Sequence, residues 1–273
     1  MKAFEVMEQL FTYGQGYDYT HTCDTLKAGC ADKTVSRVAV TMTATIPVLE
    51  QVVAWGADML IVHEPTFFTC NDTYSDEPTD DPVDQYKRKL VRDSGLVIYR
   101  FHDHSHYADP DLIAAGMLEQ MELDADITYP EPYNQGRLKL LDLDFDDGIS
   151  TTAVELATLL EQRLNIRHIK ICGARDIPST KLSARFGASG GIIEELQRPE
   201  TQILLCGEVV EWLVAEYARD LAATGQNKSL LILGHVGSER YGMDYIAKRL
   251  QEHLPQIKVQ YFDCGEVYTY SDS

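Results

Sequence analysis

Three short segments of the chain gather the side-chain types that bind metal ions. His63 and Glu64 directly follow the apolar run Ala57–Val62. His102, His104 and His106 crowd into five residues with Asp103 among them, although the whole chain has only 8 histidines. His235 and Glu239 stand four apart in Gly-His-Val-Gly-Ser-Glu, just after the apolar run Ser229–Leu233. Neutral imidazole is the commonest ligand of divalent transition metals, and carboxylates share that role. Residues four apart lie on one face of a helical turn, so His102 with His106, and His235 with Glu239, would each aim at one point. Gly234 and Gly237 allow close backbone approach or a positive φ around His235. Singly, each segment has a plainer explanation: a solvated His–Glu pair, a His-rich surface loop, a polar turn. Three of them, each at the end of a buried strand, predict a metal site.

The elements that must position these residues alternate between strand and helix. Apolar spacing predicts helices over 3–12, 46–55, 85–93 and 110–123, and strands over 35–40, 57–62 and 95–99. The polar, acidic stretch 71–84 reads as an exposed loop. Residues 128–148 are rich in Pro, Tyr, Asp and Gly and form the best boundary, dividing the chain into 1–128 and 129–273. Beyond it, a helix over 151–164 is capped by Ser150 or Thr151, and strands follow over 168–172 and 181–186. Gly187–Gly191 reads as a tight turn into a helix over 192–196; it lacks the lysine and the glycine spacing of phosphate-binding loops. A strand over 201–206 then runs into Gly207-Glu208, followed by a helix over 211–223, a strand over 229–233 and a helix over 241–250. Each half therefore runs strand, Glu, helix, strand, and then a polar pair four apart, a weak internal duplication. The expected fold is α/β, with two similar mixed-sheet α/β halves and the metal site between them, where strand ends collect ligands.

Composition sets bounds on function. A chain of 273 residues with 44% apolar content can bury a sizeable core. Its apolar runs are far shorter than the ~20 residues a membrane span needs. The start, MKAFEVMEQLF, carries an acidic residue inside what would be the apolar part of an export signal, and reads as an amphipathic helix of a cytoplasmic protein. A net charge of −19, from 24 basic against 43 acidic residues, argues against nucleic-acid partners. A small anionic ligand remains compatible, because a bound metal inverts the local field. The 6 cysteines form no C-x-x-C pair and read as reduced thiols, with Cys172 and Cys206 in the core.

The segments GADMLIVHEPTFF, VIYRFHDHSHYADPDLI and LLILGHVGSERYGM resemble the three motifs of the NIF-three-like dinuclear metal-centre family, some of whose members are known as GTP cyclohydrolase 1 type 2 homologs. The resemblance runs over nearly the whole chain, including LSARFGASGG and ILLCGE, and GH-x-x-SE is its specific motif. There are departures. The family usually has His-His where this chain has His63-Glu64, Asp where it has His106, and Asp where it has Thr41. The resemblance implies two divalent metal ions held by His63, Glu64, His106, His235 and Glu239, with His102 close by, in a homo-oligomer built as a hexamer. Such a His/carboxylate set suits Zn, Fe, Mn, Co or Ni. Glu239, with two oxygens, is the better candidate to bridge ions roughly 3.5–4 Å apart. Two dications against two carboxylates leave the site at about +2, which favours a nucleotide or phosphoester-like substrate. The expected function is metal-dependent hydrolysis, with Glu208, His104 or Asp103 as general base. The alternative is a non-catalytic metal-binding or metal-dependent regulatory protein.

If Glu64 and His106 serve one metal pair, each has taken the ligand type usual at the other's place. Glu64→His with His106→Asp should then bind metal better than the sum of the single losses allows, by about 0.5–3 kcal/mol of coupling. Metal affinities of the four variants measure it, and strict additivity would separate the two residues.

Overall fold

The structure, a computed structural model, describes residues 1–14, 20–68, 72, 74, 79–123, 125–132, 139–145 and 150–271. Along the chain run α1 (Ala3–Phe11), β1 (Leu26–Ala28), β2 (Arg37–Thr41), α2 (Ile46–Trp55), β3 (Met59–Val62), α3 (Pro82–Ser94), β4 (Val97–Arg100), α4 (Asp103–Tyr107), α5 (Leu112–Met121) and β5 (Ala125–Thr128). They continue with β6 (Leu141–Phe145), α6 (Ala153–Arg163), β7 (Lys170–Gly173), β8 (Lys181–Gly190), α7 (Ile193–Gln197), β9 (Ile203–Val209), α8 (Glu216–Ala223), β10 (Ser229–Ile232), α9 (Arg240–His253) and β11 (Lys258–Tyr261). Two compact units result: Met1–Gly116 with Arg240–Gly265, and Met117–Glu239 with Glu266–Ser273.

The first unit is built on a five-stranded sheet in the order β1-β4-β3-β2-β11. β4, β3, β2 and β11 run parallel, and β1 pairs antiparallel with β4. All four residues of β3 are fully buried, as expected of a parallel strand covered on both faces. Val48, Leu49 and Val52 of α2 share a core with Leu60, Val62 and Ile98 of the sheet. Local chemistry sets the helix ends. The Thr45 side chain accepts from Val48 N–H at the start of α2, and Gly56 ends that helix in the left-handed region. Asp81 caps α3 by accepting from Val83 and Asp84 N–H, with Pro82 in the first turn.

The second unit carries a six-stranded sheet in the order β5-β6-β8-β9-β10-β7. β8, β9 and β10 are parallel, while β6 and β7 flank them antiparallel. Each unit therefore holds three consecutive parallel strands, β2-β3-β4 in one and β8-β9-β10 in the other, joined by helices. The expected mixed α/β class with two similar halves is the one observed. At α6 the capping pair is Thr152 with Glu155, and the helix begins at Ala153, two residues inside the expected start.

The structure differs from the sequence reading in four places. Residues 240–265 belong with the first unit, because β11 pairs with β2 and α9 packs beside them, whereas a division at 128/129 puts them in the second. Gly187–Gly190 continue β8 through two register shifts against β9 and do not form a tight turn. Within the expected linker 128–148 lies β6, a strand whose Asp-rich alternation hid it; residues 133–138 and 146–149 lie outside the described residues. The stretch 71–84 was expected as an exposed loop. Residues 71, 73 and 75–78 of it lie outside the described residues, Asp72 is buried, and α3 already begins at Pro82. No helix among the described residues is long and apolar enough to cross a membrane.

In the first unit α5 and α9 approach closely through glycine. A Cβ on Gly116 would lie 2.5 Å from the Tyr241 carbonyl oxygen and 2.7 Å from Gly242 Cα. Gly116→Val is expected to destabilise by about 1–3 kcal/mol through overpacking, read as a lower urea midpoint with unchanged slope.

Candidate metal centre

The site of the first unit starts where β3 and β4 end. After Val62 the chain bends, with His63 and Glu64 N–H both donating to the Met42 carbonyl at 3.2 and 3.0 Å. After Arg100 it enters α4, a single turn that carries the histidine run. The two strand ends bring His63, His102 and His106 together. Their ring centroids lie 4.4 Å (His63–His102), 5.1 Å (His63–His106) and 4.9 Å (His102–His106) apart. Their ligand nitrogens all fall within 4.8 Å of one another. His63 and His106 are buried and His102 partly so.

Each of these rings is held from behind by an oxygen. His63 Nδ1–H donates to the Phe101 carbonyl at 3.2 Å, His102 Nδ1–H to Asp103 Oδ1 at 3.0 Å, and His106 Nδ1–H to Asp111 Oδ2 at 3.1 Å. This fixes the tautomer and makes Nε2 the lone-pair nitrogen of every ring. The Nε2 atoms of His63 and His106 face each other at 3.3 Å. Two lone pairs at that distance repel unless a cation lies between them, and a divalent metal bound to both nitrogens meets that need.

Carboxylates build this arrangement. Asp24, fully buried, accepts from the backbone N–H of His102 (2.7 Å), Asp103 (2.8 Å) and His104 (2.8 Å), and from His104 Nδ1 at 2.6 Å. It caps α4 from a segment some eighty residues earlier. Asp111 caps α5 by accepting from Ala114 N–H at 2.9 Å while its other oxygen holds His106. Asp103 also accepts from Thr22 Oγ1 and Cys23 N–H. Burial alone would raise its pKa, but the hydrogen bonds from His102, Thr22 and Cys23 outweigh that and hold it well below the usual carboxylate range. Cys23, beside it, is pushed up to about 12, first by burial, and stays a thiol.

The second unit places His235, Glu239 and Glu208 together. Gly234 takes φ +84 after β10, and a short turn over Val236–Ser238 leads to Glu239, which is 1% exposed. His235 Nδ1 lies 3.1 Å from Glu208 Oε1, and its Nε2 lies 3.1 Å from Glu239 Oε2. A neutral ring can donate to only one of these carboxylates, so here too a lone-pair nitrogen faces an oxygen across a gap that suits a cation. Gly187, with φ +71, lies against this pair, and a Cβ there would displace the Glu239 carboxylate. The Gly187 N–H donates to Ser238 Oγ at 2.9 Å, which locks the turn to β8.

The sequence-predicted residues sort cleanly. His63, His102 and His106 form one cluster, to which Glu64 adds a carboxylate oxygen within 4.8 Å of His63. His235 and Glu239 pair as their spacing predicts. Glu208, expected as a general base, holds the back of His235. His104, the other expected base, is buried on Asp24 and packs against Phe11 and Phe101. Thr41, at a place where the resemblance usually has Asp, is buried, with its hydroxyl 3.4 Å from the Thr43 carbonyl. Among the described cysteines, Cys206 is buried, Cys172 is partly so, and none is in a disulfide. Sequence reasoning missed Asp24, Asp111 and Arg100. Asp111 had a signal, an Asp just before an apolar helical run. Asp24, in Thr-Cys-Asp-Thr, had none. Asp111→Asn should weaken metal binding about 10–100-fold, since it removes the acceptor that orients His106. A chelator-competition titration measures this, and an unchanged affinity would remove His106 from the ligands.

The comparisons with known proteins bear on the fold and the family. Among curated proteins none is similar enough in sequence to match. Solved structures share the fold. The protein ybgI, of unknown function, superposes with a TM-score of 0.75 at 20% identity, covering 98% of this chain and 100% of that one. A Bacillus cereus protein related to NIF3 gives 0.75 at 12% identity, with 99% and 98% covered. Reduced HcgD from Methanocaldococcus jannaschii gives 0.69 at 16% identity, with 97% and 98% covered. At these identities the likeness speaks for the fold alone. The Duf34/NIF3 (NGG1p interacting factor 3) family model matches residues 5–265, the span that holds both histidine sets, and the chain belongs to that family.

Proposed function

We propose that this protein binds divalent transition metals through His63, His102 and His106, with Glu64, His235 and Glu239 completing a two-ion centre, and that it hydrolyses a small anionic substrate there. The observation that carries the reading is the 3.3 Å approach of His63 Nε2 to His106 Nε2, with both Nδ1–H groups committed to oxygens. That separation is about the edge of a coordination tetrahedron with bonds of ~2.0–2.1 Å. Neutral nitrogens with carboxylates fit Zn, Fe, Mn, Co or Ni better than Ca or Mg. That both sets of residues serve one pair of ions rests on the family resemblance, as do the homohexamer and the nucleotide or phosphoester-like substrate. The cytoplasmic location rests on the sequence reading.

When bound, the ions would polarise a phosphoryl or carbonyl oxygen of the substrate and acidify a water. The chain's own residues do the rest. The Phe101 carbonyl, Asp103 and Asp111 keep three Nε2 atoms aimed forward. Glu208 keeps His235 aimed at Glu239 and, with its side chain 58% exposed, is the carboxylate best able to take a proton from solvent or substrate.

Chelator-stripped protein is expected to take up about two Co or Zn ions per chain, and His63→Ala with His106→Ala to abolish uptake of the first. The same preparation is then assayed on nucleotides and phosphoesters with added Mn or Zn. Uptake with no turnover would favour the non-catalytic alternative, and no uptake from any of the five metals would refute the reading.

A further inference from the structure

A second set of ligand types sits behind His102, on the side of the ring turned toward Asp103. His102 Nδ1–H donates to Asp103 Oδ1 at 3.0 Å, and the Cys23 thiol donates to the same oxygen at 3.5 Å. One carboxylate oxygen therefore faces an imidazole nitrogen and a thiol at once. The Cys23 sulfur, a ring nitrogen of His102 and an Asp103 oxygen all lie within 4.8 Å of one another. Cys23 is only partly buried and the His102 side chain is 16% exposed, so an ion in solvent can reach the set.

The fold holds these three groups in place by other bonds. The second oxygen of Asp103 accepts from Thr22 Oγ1 at 2.8 Å and from Cys23 N–H at 3.2 Å. Asp24 accepts from the backbone N–H of both His102 and Asp103, which ties the segment carrying Cys23 to the start of α4. The spacings suit a tetrahedral ion. Bonds of ~2.0–2.2 Å to nitrogen and oxygen and ~2.3 Å to sulfur give edges of about 3.3–3.6 Å, against the 3.0 and 3.5 Å seen.

We propose that Cys23 Sγ, His102 Nδ1 and Asp103 Oδ1 form a separate site for one thiophilic divalent ion, Zn2+ or Cd2+. A thiolate selects such ions over Mn2+, Mg2+ or Ca2+, which prefer oxygen. On binding, the thiol proton leaves to solvent, because a coordinating thiol is deprotonated. The ring proton of His102 moves from Nδ1 to Nε2, and the Nδ1 lone pair goes to the ion. Dication, thiolate and carboxylate then make a neutral set, with the fourth position open to water. While Nε2 carries the proton, His102 has no lone pair for the histidine cluster, so a thiophilic ion withdraws it from that cluster. This last consequence alone rests on the metal-binding reading above.

The test uses the stripped full-length chain and Cd2+ alone, read by the ultraviolet charge-transfer band of a cadmium–thiolate bond. The wild type should develop the band. His63→Ala with His106→Ala, which dismantles the histidine cluster, should keep it at one equivalent, and nitrogen NMR of that histidine-labelled variant should show the His102 proton moving to Nε2. Cys23→Ser should remove the band and weaken Cd2+ binding in that background by at least about 10–100-fold, the loss typical of an outer-shell partner, which a direct ligand equals or exceeds. Cys30→Ser, at an exposed cysteine outside the set, should change neither. Circular dichroism establishes that each variant is folded, and the wild type with Cys23→Ser decides the matter if the histidine double variant is not. No band in the wild type, a band that survives Cys23→Ser, or a ring proton that stays on Nδ1 would overturn the proposal. A parallel Mn2+ titration separates the two readings. Mn2+ uptake with no cadmium–thiolate band leaves the histidine centre standing and refutes this site, and a band lost in Cys23→Ser with no Mn2+ uptake does the reverse.

Discussion

One buried carboxylate organises the histidine-rich end of the first unit. Asp24 receives three consecutive backbone N–H groups, from His102, Asp103 and His104, together with the His104 ring. These are the donors that the start of a helix leaves unsatisfied. A carboxylate taken out of water is costly unless donors surround it, and here three amides and an imidazole do, with the Cys23 thiol beside them. Because the acceptor is fixed, the turn it caps is fixed, and with it the direction in which His102 and His106 leave the backbone. Losing it would orphan three amides at about 1–3 kcal/mol each and free the turn that carries two of the three clustered histidines.

The same solution recurs around that turn at smaller scale. Asp111 caps α5 and holds His106, and Asp103 sits in α4 and holds His102. In the second unit Glu208 holds His235. Each acidic residue stations one face of an imidazole so that the other face is committed. The acidity of the chain, net −19, is therefore not merely a solvated exterior, for several of its carboxylates are buried and spent on orienting rings. Arg100 brings a cation to the turn after β3, its Nη2 3.5 Å from Glu64 Oε2.

Parallel strands explain why these residues converge. In both units three parallel strands end on the same edge, and the loops leaving that edge carry the polar groups. The strands themselves are saturated with Val, Ile and Leu and give nothing to chemistry. Glycine then decides how close the loops come. At Gly187, whose φ of +71 already favours glycine, a Cβ would meet the Glu239 carboxylate and force it to shift from its place beside His235.

Much of this was legible in the residues. Apolar runs bounded by helix caps marked β3, β4, β9 and β10, and α2 falls on the predicted residues 46–55. The histidine run and the four-residue spacing of His235 and Glu239 marked candidate ligands that the fold does cluster, because side-chain type and helical period are local properties. What the residues could not show depends on distant partners. β1 is three residues long and has no period to detect, and β11 finds its place only by pairing with β2, more than two hundred residues earlier. Asp24 looks like any loop aspartate until the chain closes over it. Whether a histidine presents Nδ1 or Nε2 is set by the oxygen behind it, which comes from the neighbouring turn for His106 and from the end of the adjacent strand β4 for His63. Sequence spacing determined which residues could be ligands. Tertiary structure decided which nitrogen each one offers and which carboxylate is already engaged, because hydrogen bonds between remote segments exist only once the parallel sheet has brought its strand ends to one edge.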